Sequence, residues 1–473
     1  MHAPNEKSTR IWVLALTSTA SFMTALDALV VTTALGTIRQ DLDASIEALE
    51  WTVNAYTLSL AVLLMTGAAF GDRFGRRRMF AAGLTLFVAA SVACALAGNV
   101  AWLIAARAVQ GAGAALVMPL GMALLSAAYP REERGKALGI FGSITGLALI
   151  AGPVIGGAVA DGLTWRWIFW INLPIGLVIA PLVLRRIPES RGMAGRFDVG
   201  GLILVTAAAL AIVWGLMRGN HAGWTSPEII AVLLVGIVLS AVFVAWELRA
   251  AAPMVPMRFF RVRAFSSGIA ASLLFYAAMY GVLFLLPQFF QTAQGLSPLG
   301  AGLRLLPWTA TLFIFAPIGG SLVNRVGERS LVVVGLLMQA FGFAWIGLIA
   351  APDLAFVNVV APLVLAGAGV SMAMPAAQNA VLGAVAATEI GKASGTFNMS
   401  RFLGGVFGIT LVVAVFAATG GVGSREAFSA GFVPAIGVSA VLSLVAAIMA
   451  LALPSKREAP MAHDERQASM TRA

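Results

Sequence analysis

The stretch LIAARAVQGAGAALVMP, residues 103–119, decides the fold class because it is an apolar run with one arginine and no acid. A charge near the middle of an apolar membrane helix costs roughly 3 kcal/mol, so Arg107 should face a partner, a polar interior or a water-filled cavity. A second apolar run at 137–161 carries Gly152-Pro153 and Gly156-Gly157 deep inside it. Neighbouring helices compensate for such residues in a membrane, so both runs are predicted membrane helices.

The composition indicates an all-α integral membrane protein. Of the 473 residues, 60% are hydrophobic and 11% are charged, whereas soluble domains carry about 25% charged residues. Apolar runs of about 18 residues or more recur from Ile11 to Leu453, and each can cross a bilayer as a helix. The net charge of +10 falls mainly in short loops, so it indicates orientation in a membrane and not nucleic-acid binding.

Fourteen of these runs are predicted to span the membrane. They are residues 11–36, 51–71, 79–98, 101–127, 137–160, 167–184, 199–217, 228–247, 264–286, 299–323, 330–350, 355–384, 393–418 and 431–453. Almost no sequence is left over for a soluble domain.

Lysine and arginine residues fall mainly on one side of the predicted membrane. If the N-terminus is cytoplasmic, 24 of them lie in cytoplasmic loops and tails, against four on the outer side. Because basic residues are enriched in cytoplasmic loops, both termini are predicted to be cytoplasmic, in a plasma or inner membrane. Three further arginines lie inside spans: Arg107, Arg304 and Arg401.

The chain also repeats itself. Gly111-Ala-Gly113 precedes Met118-Pro119 as Gly367-Ala-Gly369 precedes Met374-Pro375, at an offset of 256 residues. The string GDRFGRRR at 71–78 matches VNRVGERS at 323–330, at an offset of 252. Spans 1–6 and 9–14 are therefore predicted to be two related, parallel halves, with a transport site between them near the midplane.

The repeat divides the chain into five predicted parts. They are a cytoplasmic tail at 1–10, a six-helix half at 11–184, a linker with two extra membrane helices at 185–249, a second six-helix half at 250–453 and a cytoplasmic tail at 454–473. The two extra helices, spans 7 and 8, have no counterpart in the repeat.

Motifs spread over nearly the whole chain complete the sequence pattern. They are 71–78 after span 2, 107–113 in span 4, 152–157 in span 5, WRWIFWINLPIG at 165–176, PMRFFRVRAF at 256–265, QGLSPLGAGLRLLP at 294–307 and NMSRFLGGVFG at 398–408. Together they resemble the fourteen-span drug/proton antiporter branch of the major facilitator superfamily. Ala68 and Ala148 stand where the family usually has glycine, and span 1 keeps Asp27 but lacks the usual asparagine and proline. The resemblance implies the major facilitator fold and export of small molecules in exchange for protons.

The resemblance also implies roles for two groups of residues. The loop residues Asp72, Arg73, Gly75 and Arg76 resemble the family's cytoplasmic gating motif, with a second copy at Asn324-Arg325 that has lost its acid. The alternative is simple positive-inside charge with a structural cap. The span-5 residues Gly152, Pro153, Gly156 and Gly157 are typical of antiporters, where they pack closely and suppress leak; packing alone is the alternative.

Asp27 and Arg107 are the predicted proton-coupling residues. Asp27 is the one clear acid in the middle of a predicted span, and the repeat places an uncharged residue, Leu363, at the position of Arg107. Burial raises the pKa of a carboxylate and a nearby arginine lowers it, so an acid that moves between such environments can bind and release a proton. A helix–helix hydrogen bond for Asp27, and a structural cation bonded to carbonyls for Arg107, are the alternatives.

Two tyrosines in span 9 are candidates for the substrate cavity. Tyr276 and Tyr280 lie one turn apart and therefore share a helix face. Their rings could bind flat or cationic compounds, although core or lipid packing explains them equally well. Further candidates for the cavity wall are Tyr56, Gln110, Gln378, Asn379 and Arg401.

The sequence therefore predicts a proton-coupled exporter of small, mainly apolar compounds. A dedicated exporter of one metabolite or antibiotic is the alternative, and an uptake symporter is disfavoured by the span-5 motif. An enzyme is not expected, since the three histidines, His2, His221 and His463, lie in loops or tails. No cofactor or metal is predicted, because the proton gradient supplies the energy. The predicted partners are substrate, protons and the lipid bilayer; an accessory envelope protein is left open.

Overall fold

The computed structural model describes residues 6–192, 197–386 and 389–455, and within these ranges the chain forms helices and no strands. The predicted C-terminal tail from residue 456 onward lies outside the described residues, as do the first five residues. The helices are α1 (Glu6–Leu42), α2 (Ile46–Phe74), α3 (Arg76–Ala95), α4 (Val100–Ala128), α5 (Arg131–Gly162), α6 (Trp167–Trp170), α7 (Asn172–Arg186), α8 (Val199–Ala222), α9 (Pro227–Glu247), α10 (Arg263–Thr292), α11 (Pro298–Arg304), α12 (Leu306–Thr309), α13 (Thr311–Ile349), α14 (Phe356–Leu382), α15 (Ile390–Thr419) and α16 (Arg425–Ala450).

The prediction of fourteen spans is confirmed, since the described part of the chain has fourteen helical segments long and apolar enough to cross a membrane. Span 6 consists of α6 and α7, and span 10 consists of α11, α12 and the first part of α13. The second part of α13 is span 11 and begins after a turn at Gly327, which has a φ of 80°. Gly75, at the equivalent position after α2, has a φ of 106°. Glycine adopts such angles without a Cβ clash, so both halves turn at the same place.

Several helices begin earlier than the hydropathy of the sequence indicated. The first helix starts at Glu6, inside the predicted tail at 1–10, and α2 starts at Ile46, five residues before the predicted span at 51–71. Ser45 caps α2, because its side chain accepts a hydrogen bond from the backbone nitrogen of Ala48. Helix boundaries are therefore fixed here by capping and polar residues that a hydropathy run does not include.

The two halves repeat the same close packing at equivalent glycines. A Cβ on Gly83 would lie 3.0 Å from the carbonyl oxygen of Gly113, and a Cβ on Gly335 would lie 2.6 Å from that of Gly369. These two pairs are related by the sequence offsets of 252 and 256. Glycine at all four positions lets α3 approach α4, and α13 approach α14, to backbone contact.

A third offset relates α1 to α10. In the N-terminal half, Gly152 of α5 packs against Leu29, and in the other half Gly408 of α15 packs against Ala277. Gly152 and Gly408 are 256 residues apart, whereas Leu29 and Ala277 are 248 apart. By this equivalence Phe275 occupies the position of Asp27.

The halves meet along two seams near one membrane face. We call the face at which α1 ends and α2 begins the distal face, and the opposite one the proximal face. In the α2–α15 seam, Asn54 donates a hydrogen bond to Thr410 at 3.0 Å. In the α5–α11 seam, a Cβ on Gly157 would lie 2.5 Å from the carbonyl oxygen of Pro298. Between the seams, Gln291 of α10 donates to the carbonyl of Thr33 at 2.8 Å, so the distal face is closed.

The contact between halves weakens toward the proximal face along α5. A Cβ on Gly146 would touch Leu312 of α13 at 3.6 Å. Gly142 and Gly139 follow on the same side of α5, one and two turns nearer the proximal face, and a Cβ at either would meet nothing within 4 Å. Along this side of α5, close contact of a described glycine with the second half therefore ends at Gly146.

The two inserted helices cover one seam from outside. Residues of α8 such as Val213 and Met217 share an apolar cluster with Leu58 of α2 and Val406 of α15. Asn220 at the distal end of α8 donates to the carbonyl of Ala414 at 2.5 Å. α9 packs mainly against α8 and leaves most of its surface for lipid.

Candidate functional site

A carboxylate in α1 is the centre of a buried polar network. Asp27 is 1% exposed. Its Oδ1 accepts hydrogen bonds from Gln110 at 2.9 Å and from Asn172 at 3.0 Å. Its Oδ2 accepts a hydrogen bond from Nη1 of Arg107, and the two side chains form an ion pair. One cation and two amides thus replace the water that an ionised carboxylate loses on burial.

Arg107 is fully buried on α4 and is held from several directions. Its Nε donates to the carbonyl of Thr52 at 3.1 Å, and its Nη1 donates to Gln110 at 2.8 Å as well as to Asp27. The guanidinium carbon lies 4.3 Å from the ring centre of Tyr56, within range of a cation–π contact. Nη2 is buried and makes no hydrogen bond within the described residues, so one of the three guanidinium nitrogens has no acceptor there.

Asn172 and Ser91 belong to this network although the sequence analysis did not select them. Asn172, in the first turn of α7, donates to Ser91 of α3 at 3.0 Å. Ser91 in turn donates to the carbonyl of Phe169 at 2.9 Å. The signal that could have identified Asn172 is its place as the one amide in the motif at 165–176.

Tyr56 and Gln110, two predicted cavity residues, lie inside this network instead of on an open wall. The Tyr56 hydroxyl donates to the carbonyl of Thr24 at 3.0 Å, and its side chain is 1% exposed. Gln110 is engaged by Asp27 and Arg107.

A second polar cluster lies in the C-terminal half. The guanidinium carbon of Arg401 lies 5.0 Å from the ring centre of Tyr276. The two tyrosine rings are 6.4 Å apart; Tyr276 is buried and Tyr280 is half-buried. Nε of Arg401 is buried and makes no hydrogen bond to any described residue. The structure thus combines three of the predicted cavity residues into one site with an unused donor.

The other candidates lie apart from this cluster. Gln378 is half-buried and Asn379 is exposed near the proximal end of α14, and no described side-chain hydrogen bond links them to Arg401. Arg304 lies near the distal face, where it bonds to Gln294 and lies over the rings of Phe290 and Phe356. Its contacts are local and peripheral.

The predicted gating loop forms an ion-pair cluster at the proximal face. Arg76 donates through Nε to Asp72 at 2.8 Å. Glu189, which follows α7, accepts a hydrogen bond from the backbone nitrogen of Arg77 at 2.9 Å and lies 3.7 Å from the side chains of Arg77 and Arg78. Glu189 thereby connects the end of the sixth span to the loop between α2 and α3. The sequence motif does not include it, since it lies 112 positions from Arg77.

The rest of the gating motif differs between the halves. Arg73 lies over the ring of Phe197, 5.2 Å from its centre, just before the inserted α8. In the second copy, Arg325 is exposed and precedes the turn at Gly327. The side chain of Asn324 lies outside the part of the chain that the structure describes.

The span-5 glycines place α5 against two different helices. Gly152 and Gly156 face α1, where a Cβ on Gly156 would collide with the carbonyl of Val30. On the other side, a Cβ on Gly302 of α11 would collide with the carbonyl of Pro153, beside the contact of Gly157 with Pro298. These residues therefore join α1, α5 and the opposite half at the distal face.

Glu50 is a second acid buried within a membrane helix, which corrects the expectation that Asp27 stands alone. Because α2 begins at Ile46, Glu50 lies inside the helix and is 1% exposed. It accepts a hydrogen bond from Asn54 at 3.1 Å. Hydropathy placed it one residue before the predicted span at 51–71, so it was not predicted as a site residue.

Known proteins resemble this chain over most of its length. The profile described as "Major Facilitator Superfamily" matches residues 17–409 and 269–470. The multidrug resistance protein Stp of Mycobacterium tuberculosis is 36% identical over 412 residues, which are 87% of this chain and 76% of that protein. The tetracenomycin C resistance and export protein of Streptomyces glaucescens is 33% identical, and the match covers 84% of this chain and 74% of that protein. The methylenomycin A resistance protein of Streptomyces coelicolor is 32% identical, covering 93% and 92%.

Solved structures of transporters share the fold. An inward-facing, unoccupied bacterial homologue of the human lysosomal transporter Spinster has a TM-score of 0.69 at 16% identity, covering 96% of this chain and 99% of that one. A D-xylose–proton symporter has a TM-score of 0.68 at 17% identity, covering 95% and 99%. At such identities the likeness supports the fold alone.

Proposed function

The chain belongs to the major facilitator superfamily of membrane transporters, and we propose that it exports small, mainly apolar compounds in exchange for protons. The observation that carries this proposal is the buried ion pair of Asp27 and Arg107. It places a titratable carboxylate on α1, the helix that contacts the opposite half through Thr33 and Gln291. The relatives' names, which refer to multidrug resistance and antibiotic export, support the direction of transport.

The proposed orientation makes the proximal face cytoplasmic. The excess of basic residues in the loops on that face supports it, and a cell membrane is the proposed location. With this orientation the closed distal face is the outer one, so the proposed state is closed toward the outside.

Protonation of Asp27 would drive the change of state. A protonated Asp27 no longer balances Arg107, and an unpaired buried cation costs several kcal/mol. The site therefore favours a conformation in which Arg107 gains water or another acceptor for its unused Nη2. Asp27 and Thr33 are six residues apart, about 9 Å along α1, so a shift of the helix at Asp27 reaches the seam.

The proton gradient supplies enough energy for useful export without a cofactor. A membrane potential of 100 mV is worth about 2.3 kcal/mol for each charge moved, which supports a gradient of roughly fiftyfold. We propose substrate, protons and the lipid bilayer as the partners, and no nucleic acid.

The proposed substrate site lies between the halves, beside the cluster of Arg401, Tyr276 and Tyr280. Its rings offer apolar area, and the unused Nε–H of Arg401 can donate a hydrogen bond to an oxygen of a ligand. Neutral, zwitterionic or anionic compounds therefore suit it beside flat cations.

The direct test is export of a panel of dyes and antibiotics from cells that lack their own pumps, with and without a proton uncoupler. We expect several chemically different compounds to be exported, and the uncoupler to stop their export. Export that continues at full rate in the uncoupler would contradict proton coupling. Export of one compound alone would favour the alternative, a dedicated exporter of one metabolite or antibiotic.

A further inference from the structure

Glu50 and Thr410 lie together in the α2–α15 seam, and the mechanism above uses neither. Asn54 joins them, because its Nδ2 donates to Glu50 Oε1 at 3.1 Å and to Thr410 Oγ1 at 3.0 Å. The exposed fractions are 1% for Glu50 and 0% for both Asn54 and Thr410. A carboxyl group is thus enclosed between the two halves, near the distal face.

No cation balances a charge on Glu50 among the described residues. Its charged neighbour is Glu47, one turn earlier on α2, which repels a negative charge. On the adjoining α4 and α1, Arg107 and Asp27 are paired with each other. On α15, Arg401 lies nine residues from Thr410, about 13 Å along the helix.

The remaining titratable groups on the helices around α2 are also engaged elsewhere or lie at the surface. Cys94 of α3 contacts Gln110 at 3.6 Å, and Arg218 of α8 pairs with Glu228 at 3.2 Å. Arg39, in the last turn of α1, is half-exposed at the distal face and forms no described ion pair. An ionised Glu50 in the closed seam would be an uncompensated buried charge, which is far less stable than a neutral acid.

The polar groups of the seam include more hydrogen-bond acceptors than donors, so one additional proton can be bound there. Oδ1 of Asn54 is buried and has no hydrogen-bond partner in the described chain. The other acceptors are the two oxygens of Glu50 and the hydroxyl of Thr410, while the donors are the Asn54 amide and the Thr410 hydroxyl. A protonated carboxyl adds an O–H donor, which an ionised one lacks. A neutral Glu50 therefore satisfies the site better.

The second seam shows that helix packing does not require an ionisable group here. Gly111 packs against Tyr56 and Gly367 packs against Trp308, so the offset of 252 holds along α2 and its counterpart. At that offset Gly302 occupies the position of Glu50, and it packs against the carbonyl of Pro153. The α5–α11 seam therefore packs a glycine at this position and needs no protonation to close. The α2–α15 seam encloses an acid at the same position.

We propose that Glu50 is a second protonation site, and that the α2–α15 seam closes at the distal face when Glu50 carries a proton. The proposal rests on alternating access, as described under the proposed function. When the seam is open, water solvates the ionised carboxylate; on closure, a proton from water on the distal side binds a Glu50 oxygen, and it returns to that water when the seam opens. The factor by which closure raises the proton affinity of Glu50 must equal the factor by which protonation raises the closed-to-open ratio of the seam.

The test measures the width of the distal face against pH. Gly98, between α3 and α4, and Gly423, between α15 and α16, lie at the distal face of opposite halves, and a Cβ at either meets nothing within 4 Å. Spin labels on Gly98→Cys and Gly423→Cys, in a Cys94→Ala background, report the distance in purified protein in lipid nanodiscs. We expect the population to move from the short to the long distance as the pH rises from about 5 to about 9.

Glu50→Gln copies the neutral acid and should remove this response. We expect the short distance at every pH, with the open population at the highest pH reduced at least about tenfold, a differential stabilisation of about 1.4 kcal/mol. Glu50→Asp should retain a pH response. Glu47→Gln, which neutralises the neighbouring acid on the same helix, is the matched control and should keep the full pH response, with its midpoint at a lower pH because one repelling charge is gone.

Two outcomes would overturn the proposal: a Glu50→Gln protein that opens with pH like the unmodified one, or an unmodified protein whose distance is the same at every pH. If Glu50→Gln elutes as aggregate, the infrared difference spectrum of the unmodified protein between the two pH extremes, compared with Glu50→Asp, still reports whether a carboxyl here titrates. The distance measurement needs no substrate, and the Asp27→Asn variant should retain the pH-dependent change in distance. If proton-driven export fails, a pH-dependent distance would still support the role of Glu50. If the distance does not depend on pH, proton-driven export could still be correct.

Discussion

Arg107 donates a hydrogen bond to Asp27 inside the N-terminal half, and neither residue has a charged equivalent in the other half. Packing equivalence pairs Asp27 with Phe275 and Arg107 with Leu363, both of which lie in the apolar core. The same helix arrangement therefore forms without the ion pair. Since buried pairs often cost as much free energy as they return, a role in transport explains the pair better than stability does.

Asp27→Asn should abolish proton-driven export while the protein still reaches the membrane. Asparagine keeps the hydrogen bonds from Gln110 and Asn172 within reach but cannot bind and release a proton. The measurement is uncoupler-sensitive efflux of a dye from cells. Asp43→Asn, in the exposed loop between α1 and α2, is the matched control and should export normally. Full, uncoupler-sensitive efflux by Asp27→Asn would refute the assignment.

Arg107→Leu, which copies Leu363, should destabilise the protein because it leaves Asp27 charged and unpaired. The expected loss is about 3–5 kcal/mol, and the double variant with Asp27→Asn should recover most of it. Thermal unfolding of the purified proteins measures both. Equal melting temperatures for the single and double variants would show that the two side chains are not coupled. In transport, Arg107→Lys should retain more activity than Arg107→Ala, because it keeps the charge but not the fork of donors.

Arg76→Ala and Asp72→Asn should slow export without changing which compounds are exported. Their ion pair lies at the proximal face, away from the Arg401 cluster, and holds the loop between α2 and α3. We expect the same for Arg73→Ala, which loses its contact with Phe197. Initial efflux rates for several compounds give the comparison. Arg249, which is exposed after α9 at the same face, supplies the control Arg249→Ala. An altered compound profile at normal turnover would argue against a gating role.

The fold could be predicted from the sequence because each level of it depends on a regular pattern. Long apolar runs define the spans, and the repeated strings around Gly111 and Gly367 define the halves, since both must bring glycine to a helix contact. The turn at Gly327 follows in the same way from its match with Gly75. These features are local or periodic, so they can be recognised in a single sequence without knowledge of contacts between distant residues.

The polar sites could be predicted only in part. Asp27 and Arg107 stand out because each interrupts an apolar run, but Asn172 and Ser91 are uncharged and join the network only through contacts between distant helices. Glu50 lies at the edge of its apolar run, where an acid usually faces water. The contact that buries it comes from α15, 356 positions from Asn54 along the chain, and no local pattern indicates it.

Gly157→Val should block closure of the α5–α11 seam and lower the rate of export. Valine would place its branched side chain against the backbone of Pro298 and Leu299, where a Cβ alone already comes within 2.5 Å of an oxygen. Backbone atoms cannot move aside as the end of a flexible side chain can. Gly162→Val, in the last turn of the same helix, meets no neighbour within 4 Å and is the control. Equal export by the two variants, at equal abundance in the membrane, would show that close packing at Gly157 is not needed.

Arg401→Gln should change the range of exported compounds instead of reducing export uniformly. The guanidinium lies over the ring of Tyr276, and its buried Nε has no hydrogen-bond partner among the described residues, so its charge is available to a ligand. Removing the charge should weaken export of anionic compounds by about ten- to a hundredfold, which corresponds to the 1.5–3 kcal/mol of a charge-assisted hydrogen bond, and should leave cations unchanged or improved. Efflux rates for anionic, neutral and cationic dyes of similar size measure this.

The two tyrosines distinguish a ligand site from a structural contact. Tyr276→Phe keeps the buried ring against Arg401 and removes only the hydroxyl, so it should affect compounds that accept or donate a hydrogen bond there. Tyr280→Ala removes a half-buried ring at the boundary between the halves and should weaken export of flat aromatic compounds most, by roughly 1–2 kcal/mol of lost apolar and stacking contact. If Arg401→Gln, Tyr276→Phe and Tyr280→Ala all reduce every class of compound equally, the cluster holds α10 against α15 and does not contact substrate.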